Sequence, residues 1–267
     1  MAYRSALINV MAQAARKAAR GLVRDFGEVE QLQVSKKGPA DFVSAADLRA
    51  EEVLRRELQK ARPTFGLRME ESGETAGSDR EFVWVVDPLD GTTNFLHGIP
   101  HFAISIGLER AGQPVAGVIY DPVKDEMFWA ENGQGAHLND HRLRVSSRSK
   151  LTEAVLATGI PFHGRAGHEN FLAELAAVAA EVAGIRRFGA AALDLAYVAA
   201  GRYEGFWETG LSRWDISAGL LLVREAGGLV SEIDGGNKML ESGSVLAANA
   251  SLHEPIRTLL RRAKQRP

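Results

Sequence analysis

The chain has no cysteine at all. That absence excludes disulfides, thiolate zinc sites and cysteine nucleophiles, and it fits a reducing compartment. A cytoplasmic protein is expected. No apolar run approaches the roughly 20 residues of a membrane-spanning helix, so no membrane association is expected either. Charge of one sign is also lacking. The 32 Lys and Arg stand against 34 Asp and Glu, a formal net charge of -2, and this gives no general attraction to nucleic acid or acidic lipid. Basic residues gather only locally, at Arg142, Arg144, Arg148 and Lys150 and again at Arg257, Arg261, Arg262 and Lys264. The second group reads as the solvated end of a helix. Repeats, low-complexity tracts and long linkers are missing too.

What is present is an ordinary globular composition, 45% hydrophobic and 25% charged over 267 residues. That length buries the core of one domain, or of two halves that meet near residues 140–150 and share a cleft. The first 24 residues carry arginine and no acid, as a transit peptide does. However, Leu7, Ile8, Met11, Ala14, Ala15, Ala18 and Leu22 recur at helical spacing, which predicts an amphipathic helix over 3–26. A second helix is expected over 44–60, capped by Ser44. Strand patterns follow at 82–87, 102–109, 114–120 and 126–130, the last three joined by short turns as in an antiparallel meander. Further strands are expected at 153–158, 185–188, 203–208, 228–232 and 244–248. Helices are expected at 168–183, 190–200, 214–226 and 251–264. Helices and strands alternate in blocks, so the fold class is α+β, a layered α/β sandwich.

The acids pose the chemical question. Val83-Trp84-Val85-Val86-Asp87-Pro88-Leu89-Asp90-Gly91-Thr92-Thr93-Asn94-Phe95 ends an apolar strand on two aspartates three positions apart. Like charges at a buried strand end are costly unless something positive sits between them. Pro88 stops the strand ladder, and Gly91 permits a tight turn into a helix that opens at Thr92. Both carboxylates then stand beside the unpaired amides of a helix start, where anions bind. Oxygen-only ligands suit Mg²⁺, which combines carboxylates, waters and a substrate phosphate. Asp47, Glu70, Glu71 and Asp215 are further candidates. Each alone has an ordinary explanation: a helix-surface acid, part of a solvated charge run, or a first-turn acid complementing the helix dipole.

Asp87-Pro88-Leu89-Asp90-Gly91-Thr92-Thr93-Asn94-Phe95 resembles the first signature of the inositol monophosphatase family. Trp214-Asp215-Ile216-Ser217-Ala218-Gly219, followed by Glu225-Ala226-Gly227-Gly228, resembles the second. Pro39 through Asp47 and Glu70-Glu71-Ser72 match two further family segments, and all four occur in the family's order and spacing. The resemblance implies alternating α and β layers like those of the sugar bisphosphatases, usually in a homodimer. It implies a phosphomonoesterase acting on inositol monophosphate, or on the phosphate ester of a sister enzyme, with two or three Mg²⁺ per site. It also implies roles. Glu70, Asp87 and the Leu89 carbonyl would hold one ion; Asp87 would bridge to a second held by Asp90 and Asp215; Glu70 would help a third through water. Thr92, hydrogen-bonded to Asp47, would orient the attacking water. The Gly91 and Thr92 amides would hold phosphate, and Gly189, Ala191 and Glu208 would face the alcohol. A bacterial branch of the family is associated with transcription antitermination, which implies a transcription-machinery partner.

Two positions depart from the family pattern: Met69 replaces the usual glycine before Glu70, and Ala190 stands where threonine or serine is frequent. Neither is a ligand position. His97 and His101 are separated by Gly98 and Pro100, so they cannot share a helix face as zinc-protease ligands do. His137 and His141 flank an Asn-Asp turn and are expected to be exposed. The glycine pairs at 133/135 and 235/236 read as turns. Trp84 and Trp129 lie in strand-like runs and are expected in the core.

Overall fold

Helix α1 (Ala6–Phe26) starts at Ser5, whose side chain accepts a hydrogen bond from the Ile8 amide at 3.2 Å. It presents Ile8, Met11, Ala15 and Leu22 to the interior. The small alanines between them let helix α2 (Ala45–Ala61) lie alongside. The computed structural model describes residues 4–28, 34–38, 41–161, 164 and 166–264. Pro39 and Ala40 of the motif ending at Asp47 therefore lie outside the described residues. A short hairpin of β1 (Val34–Gly38) and β2 (Asp41–Ser44) leads into α2.

Beneath α1 and α2 lies an eight-stranded sheet. Its strands are β3 (Phe65–Met69), β4 (Gly73–Thr75), β5 (Asp79–Asp90), β6 (Ala103–Arg110), β7 (Gln113–Asp121), β8 (Glu126–Glu131), β9 (Gly135–Leu138) and β10 (His141–Arg142). They lie in the order β10-β9-β8-β7-β6-β5-β3-β4, antiparallel except where β3 runs parallel to β5. The meander lies where the strand-like runs and the short turns between them place it.

After residue 150 the chain builds a second sheet from β11 (Val155–Thr158), β12 (Gly184–Arg186), β13 (Gly205–Glu208), β14 (Leu229–Ser231) and β15 (Val245–Ala248), in the order β12-β11-β13-β15-β14. Between the sheets lie α5 (Ala191–Ala199) and α6 (Arg213–Glu225), with the short α7 (Met239–Ser242) against α6; α4 (His168–Ala179) and α8 (His253–Lys264) cover the outer face. Period-two alternation assigns the faces. Ala157, Phe206 and Ala247 point inward with α5 and α6, while their neighbours Leu156, Trp207 and Leu246 pack with α4 and α8. The result is five layers, helix–sheet–helix–sheet–helix. Among the described residues no helix is long and apolar enough to cross a membrane.

One packing detail fixes the middle layer. Gly107 and Gly117 lie under α6, and a Cβ on either would come within 2.7 Å of the Ser217 hydroxyl or 2.9 Å of the Ala218 Cα. The helix can lie this close only because β6 and β7 carry no side chain there.

Two local readings need correction. Strand β5 continues to Asp90 instead of stopping at Asp87. Asp87 pairs with Ser105 and Asp90 with Ala103, and the register slips between them, which accommodates Pro88. His137 is buried, its ring stacked on Trp129 with centroids 4.1 Å apart. His141 is exposed as expected. Trp84 and Trp129 are core residues.

Candidate metal and phosphate site

Glu70, Asp87, Leu89, Asp90, Gly91, Thr92, Gly189, Ala191, Glu208 and Asp215 all line a single cavity of about 300 Å³. They arrive from both sheets and the middle helices. Glu70 follows β3, and its amide donates to the Val86 carbonyl at 3.2 Å, which holds it level with the end of β5. Asp87 is 2% exposed, and one of its oxygens accepts from the Leu89 amide at 2.9 Å. Asp90 accepts from the Ala192 amide at 2.8 Å, reaching across to the first turn of α5. Ala190, at the start of that helix, has no side-chain oxygen to cap it, so Asp90 supplies the acceptor from elsewhere in the chain.

Asp47 and Asp215 share a local device. Each is the third residue of a helix with serine at its cap, and each returns one carboxylate oxygen to that serine's amide. Asp47 accepts from Ser44 N at 2.9 Å, and Asp215 from Ser212 N at 2.7 Å. The cap fixes the carboxylate through one oxygen. The other oxygen of Asp47 accepts the Thr92 hydroxyl at 3.1 Å, while the same hydroxyl lies 3.0 Å from the Leu89 carbonyl. Asp47 is fully buried behind Thr92 and does not itself line the cavity.

The electrostatics are one-sided. Burial pushes the Asp87 carboxyl well above its ordinary range, and repulsion from Glu70, Asp90 and Asp215 adds to this. The close approach of the Glu70 side chain adds a further, smaller rise. Asp90 is likewise raised, first by burial and then by Asp215 and Glu208, against the lowering effect of the Ala192 amide. Burial raises Asp47 too, opposed by its bonds to Ser44 and Thr92.

A divalent cation fits this donor set in kind. The available atoms are all oxygens, their charges repel, and burial makes their ionised forms costly without a counter-charge. They form a ring of donors and not a finished cage, because among the described residues no three acidic or histidine side chains stand ready to hold one ion.

Gly91 is left-handed at φ +93°, and a Cβ there would press on the His101 carbonyl at 3.0 Å. It turns the chain into α3 (Thr92–Leu96), which has only five residues. Any attraction for phosphate therefore comes from individual first-turn amides, since so short a helix has little macrodipole. Asn94 ties this turn to the opposite wall, donating to the carbonyls of His101 at 2.8 Å and Phe188 at 2.7 Å.

Several residues escaped the sequence reading. Gly159, Ile160, Arg187 and Ser212 line the cavity, and none carries a motif signature. Asp194 on α5 is 1% exposed, with one carboxylate oxygen lacking a partner among the described residues. Burial, with repulsion from Glu208 and Asp90, raises its pKa well above the usual value. Its helical spacing resembles that of its apolar neighbours, so only the fold reveals it. Met69, the departure before Glu70, is a fully buried core residue at the end of β3.

The profile of the inositol monophosphatase family matches residues 4–265. The chain is 62% identical to the inositol-1-monophosphatase of Mesorhizobium japonicum, over 99% of this chain and 98% of that protein. It is 45% identical to Nus factor SuhB of Pseudomonas aeruginosa, over 95% of each. The crystal structure of extragenic suppressor protein suhB from Bartonella henselae superimposes with a TM-score of 0.94 at 57% identity, covering 97% of this chain and 99% of that one. With signatures, layers and near full-length similarity in agreement, the chain belongs to the inositol monophosphatase family.

Proposed function

We propose that this chain hydrolyses myo-inositol monophosphate to inositol and phosphate, with two or three Mg²⁺ ions as cofactor. The observation that carries the reading is one cavity with Glu70, Asp87, Asp90 and Asp215 in its wall, the Gly91–Thr92 turn beside them, and Glu208 also lining it. The high-identity relative from Mesorhizobium japonicum, named for this activity, supports the substrate. Glu70, Asp87 and the Leu89 carbonyl would hold one ion, with Asp87 shared with a second held by Asp90 and Asp215, and Glu70 reaching a third. Bound there, Mg²⁺ lowers the pKa of water, offsets phosphate charge and stabilises the departing alkoxide.

The chain's own residues position the reaction. The Thr92 hydroxyl donates a hydrogen bond to Asp47 or to the Leu89 carbonyl, 3.1 and 3.0 Å away, which turns its lone pairs to accept a hydrogen bond from the attacking water and so orient it. The Gly91 and Thr92 amides would hold phosphate oxygens. Gly189, Ala191 and Glu208 would face the alcohol. The water oxygen bonds to phosphorus as the ester P–O bond breaks, and the leaving alkoxide takes one of the water's two protons to become the alcohol while the other stays on the phosphate. Phosphoryl transfer needs mainly position and charge, so no protein nucleophile is required.

The test is phosphate release from inositol 1-phosphate beside histidinol phosphate, fructose 1,6-bisphosphate and a nucleotide 3′-phosphate. Inositol 1-phosphate should be preferred, with dependence on Mg²⁺ and inhibition by Li⁺ and by high Mg²⁺. Full turnover in excess chelator, with metal content verified as nil, would overturn the reading. Family membership supports a homodimer, which light scattering would measure. A cytoplasmic location follows the same reading. The relative named Nus factor supports a second role with transcription machinery; retention of RNA polymerase components on the immobilised protein would test it.

A further inference from the structure

We propose that Gly159 is a specificity-determining residue that seats the Glu208 carboxylate in the cavity, and thereby sets which alcohol is accepted. This rests on the reading of Glu208 as the group that faces the alcohol. Gly159 follows β11 directly, and Glu208 ends the neighbouring parallel strand β13. The register pairs Leu156 with Gly205, Ala157 with Phe206 and Thr158 with Trp207. One further step brings Gly159 level with Glu208. The Thr158 hydroxyl donates to the Trp207 carbonyl at 2.8 Å, so the two strand ends are fastened immediately before this pair.

A methyl group built on Gly159 would coincide with the Glu208 carboxylate, meeting its carbon and both of its oxygens. Both residues line the cavity. The backbone gives no reason for glycine here: Gly159 is absent from the left-handed residues, unlike Gly91 and Gly189. What the position requires is empty space, and the acid's head group fills it. A long, flexible glutamate at a strand end would otherwise sample several rotamers, so a fitted seat narrows its hydrogen-bonding direction. The atoms that a larger residue would strike belong to the movable end of a side chain and not to backbone. Gly159→Ala therefore displaces the carboxylate without deleting it and without a demand on the fold.

The experiment uses the full chain with Mg²⁺ and two substrates, inositol 1-phosphate and p-nitrophenyl phosphate, whose leaving group has no neighbouring hydroxyls to recognise. Gly159→Ala should lower kcat/KM for inositol 1-phosphate by about tenfold, chiefly through KM, and leave p-nitrophenyl phosphate within about twofold. Glu208→Gln should show the same selective loss. Glu208→Asp, one methylene shorter, makes room for the methyl, so Gly159→Ala/Glu208→Asp should be more active on inositol 1-phosphate than additivity of the single losses allows. Unchanged discrimination in Gly159→Ala, beside a selective loss in Glu208→Gln, would overturn the seat and keep Glu208 as a substrate contact. No selective loss in Glu208→Gln would overturn both. An equal loss on both substrates in Gly159→Ala, or strict additivity in the double variant, would reduce Gly159 to a packing residue.

Discussion

Two Asp-Pro turns in this molecule start alike and end differently. Asp87-Pro88-Leu89 closes β5, and Asp121-Pro122-Val123 closes β7. Both aspartates are buried, 2% and 0% exposed, and both accept the amide two residues on, at 2.9 and 3.0 Å. The backbone device is the same Asx turn. Asp121 then accepts the Lys124 amide and forms an ion pair with the Lys124 ammonium, so its charge is balanced within its own loop. Asp87 is instead surrounded by Glu70, Asp90 and Asp215, which raise its pKa further. Local sequence builds the turn in both places. Only the neighbours' charge separates a structural acid from the carboxylate proposed to hold a cation.

The strongest attempt to break the contrast is to neutralise both. Asp87→Asn should lower kcat by about a thousandfold or more, since one amide replaces a charge shared between two proposed ions. Asp121→Asn should leave kcat within about threefold but lower Tm by roughly 3–6 °C, because Lys124 loses its partner. Steady-state kinetics and calorimetry on the two proteins decide it, and similar mild kinetic losses would make Asp87 another strand-end acid.

Asp47 occupies the middle ground, buried and tied to Ser44 and Thr92. Thr92→Ala and Asp47→Asn should each lower kcat by about a hundredfold with Mg²⁺ affinity by calorimetry nearly unchanged. The double variant should lose less than the sum of the two free energies if they act as one unit. Full additivity would separate the pair.

The smallest effect sharpens the comparison from the other side. In chelator, Asp90→Asn should be more stable than the parent by on the order of a few degrees in Tm. The sign follows from the raised pKa of Asp90. Above that raised value the carboxylate is ionised folded and unfolded, and the folded state bears the whole cost of the buried charge. Below the ordinary value the acid is protonated in both states, and the cost vanishes. The advantage of Asn should therefore be largest at alkaline pH and shrink as pH falls through the range between those values. Saturating Mg²⁺ should reverse its sign. An advantage independent of pH would assign the stabilisation to something other than charge.

The parts of this design legible in the sequence are those with a period or a punctuation mark. The alanine-rich face of α1 has a helical period because one side of it is buried; β6 to β8, buried on both faces, show instead as short apolar runs bounded by turn residues. Strands β3 and β4 are three to five residues long and mixed in character, too short for a repeat to register. Most of the carboxylates were legible because four motifs agreed in order. Asp194 and Gly159 were not, since one looks like an interruption in an apolar helix and the other like a loop glycine. His137 was misplaced because nothing local shows that Trp129 on the adjacent strand will stack on it.

The bond from Ala192 to Asp90 gives one side chain membership in two halves of the molecule. Asp90 is placed by the first sheet and held at 2.8 Å by a helix whose opening residue, Ala191, is on the proposed alcohol side. Thermodynamic linkage makes such sharing reciprocal: whatever draws Asp90 into one arrangement biases the start of α5, and whatever orders α5 returns the same free energy to Asp90. A cation proposed at Asp90 and an alcohol proposed at Ala191 are coupled through this bond as well as through any direct contact between them. Affinity for one is then a property that selection on the other can move.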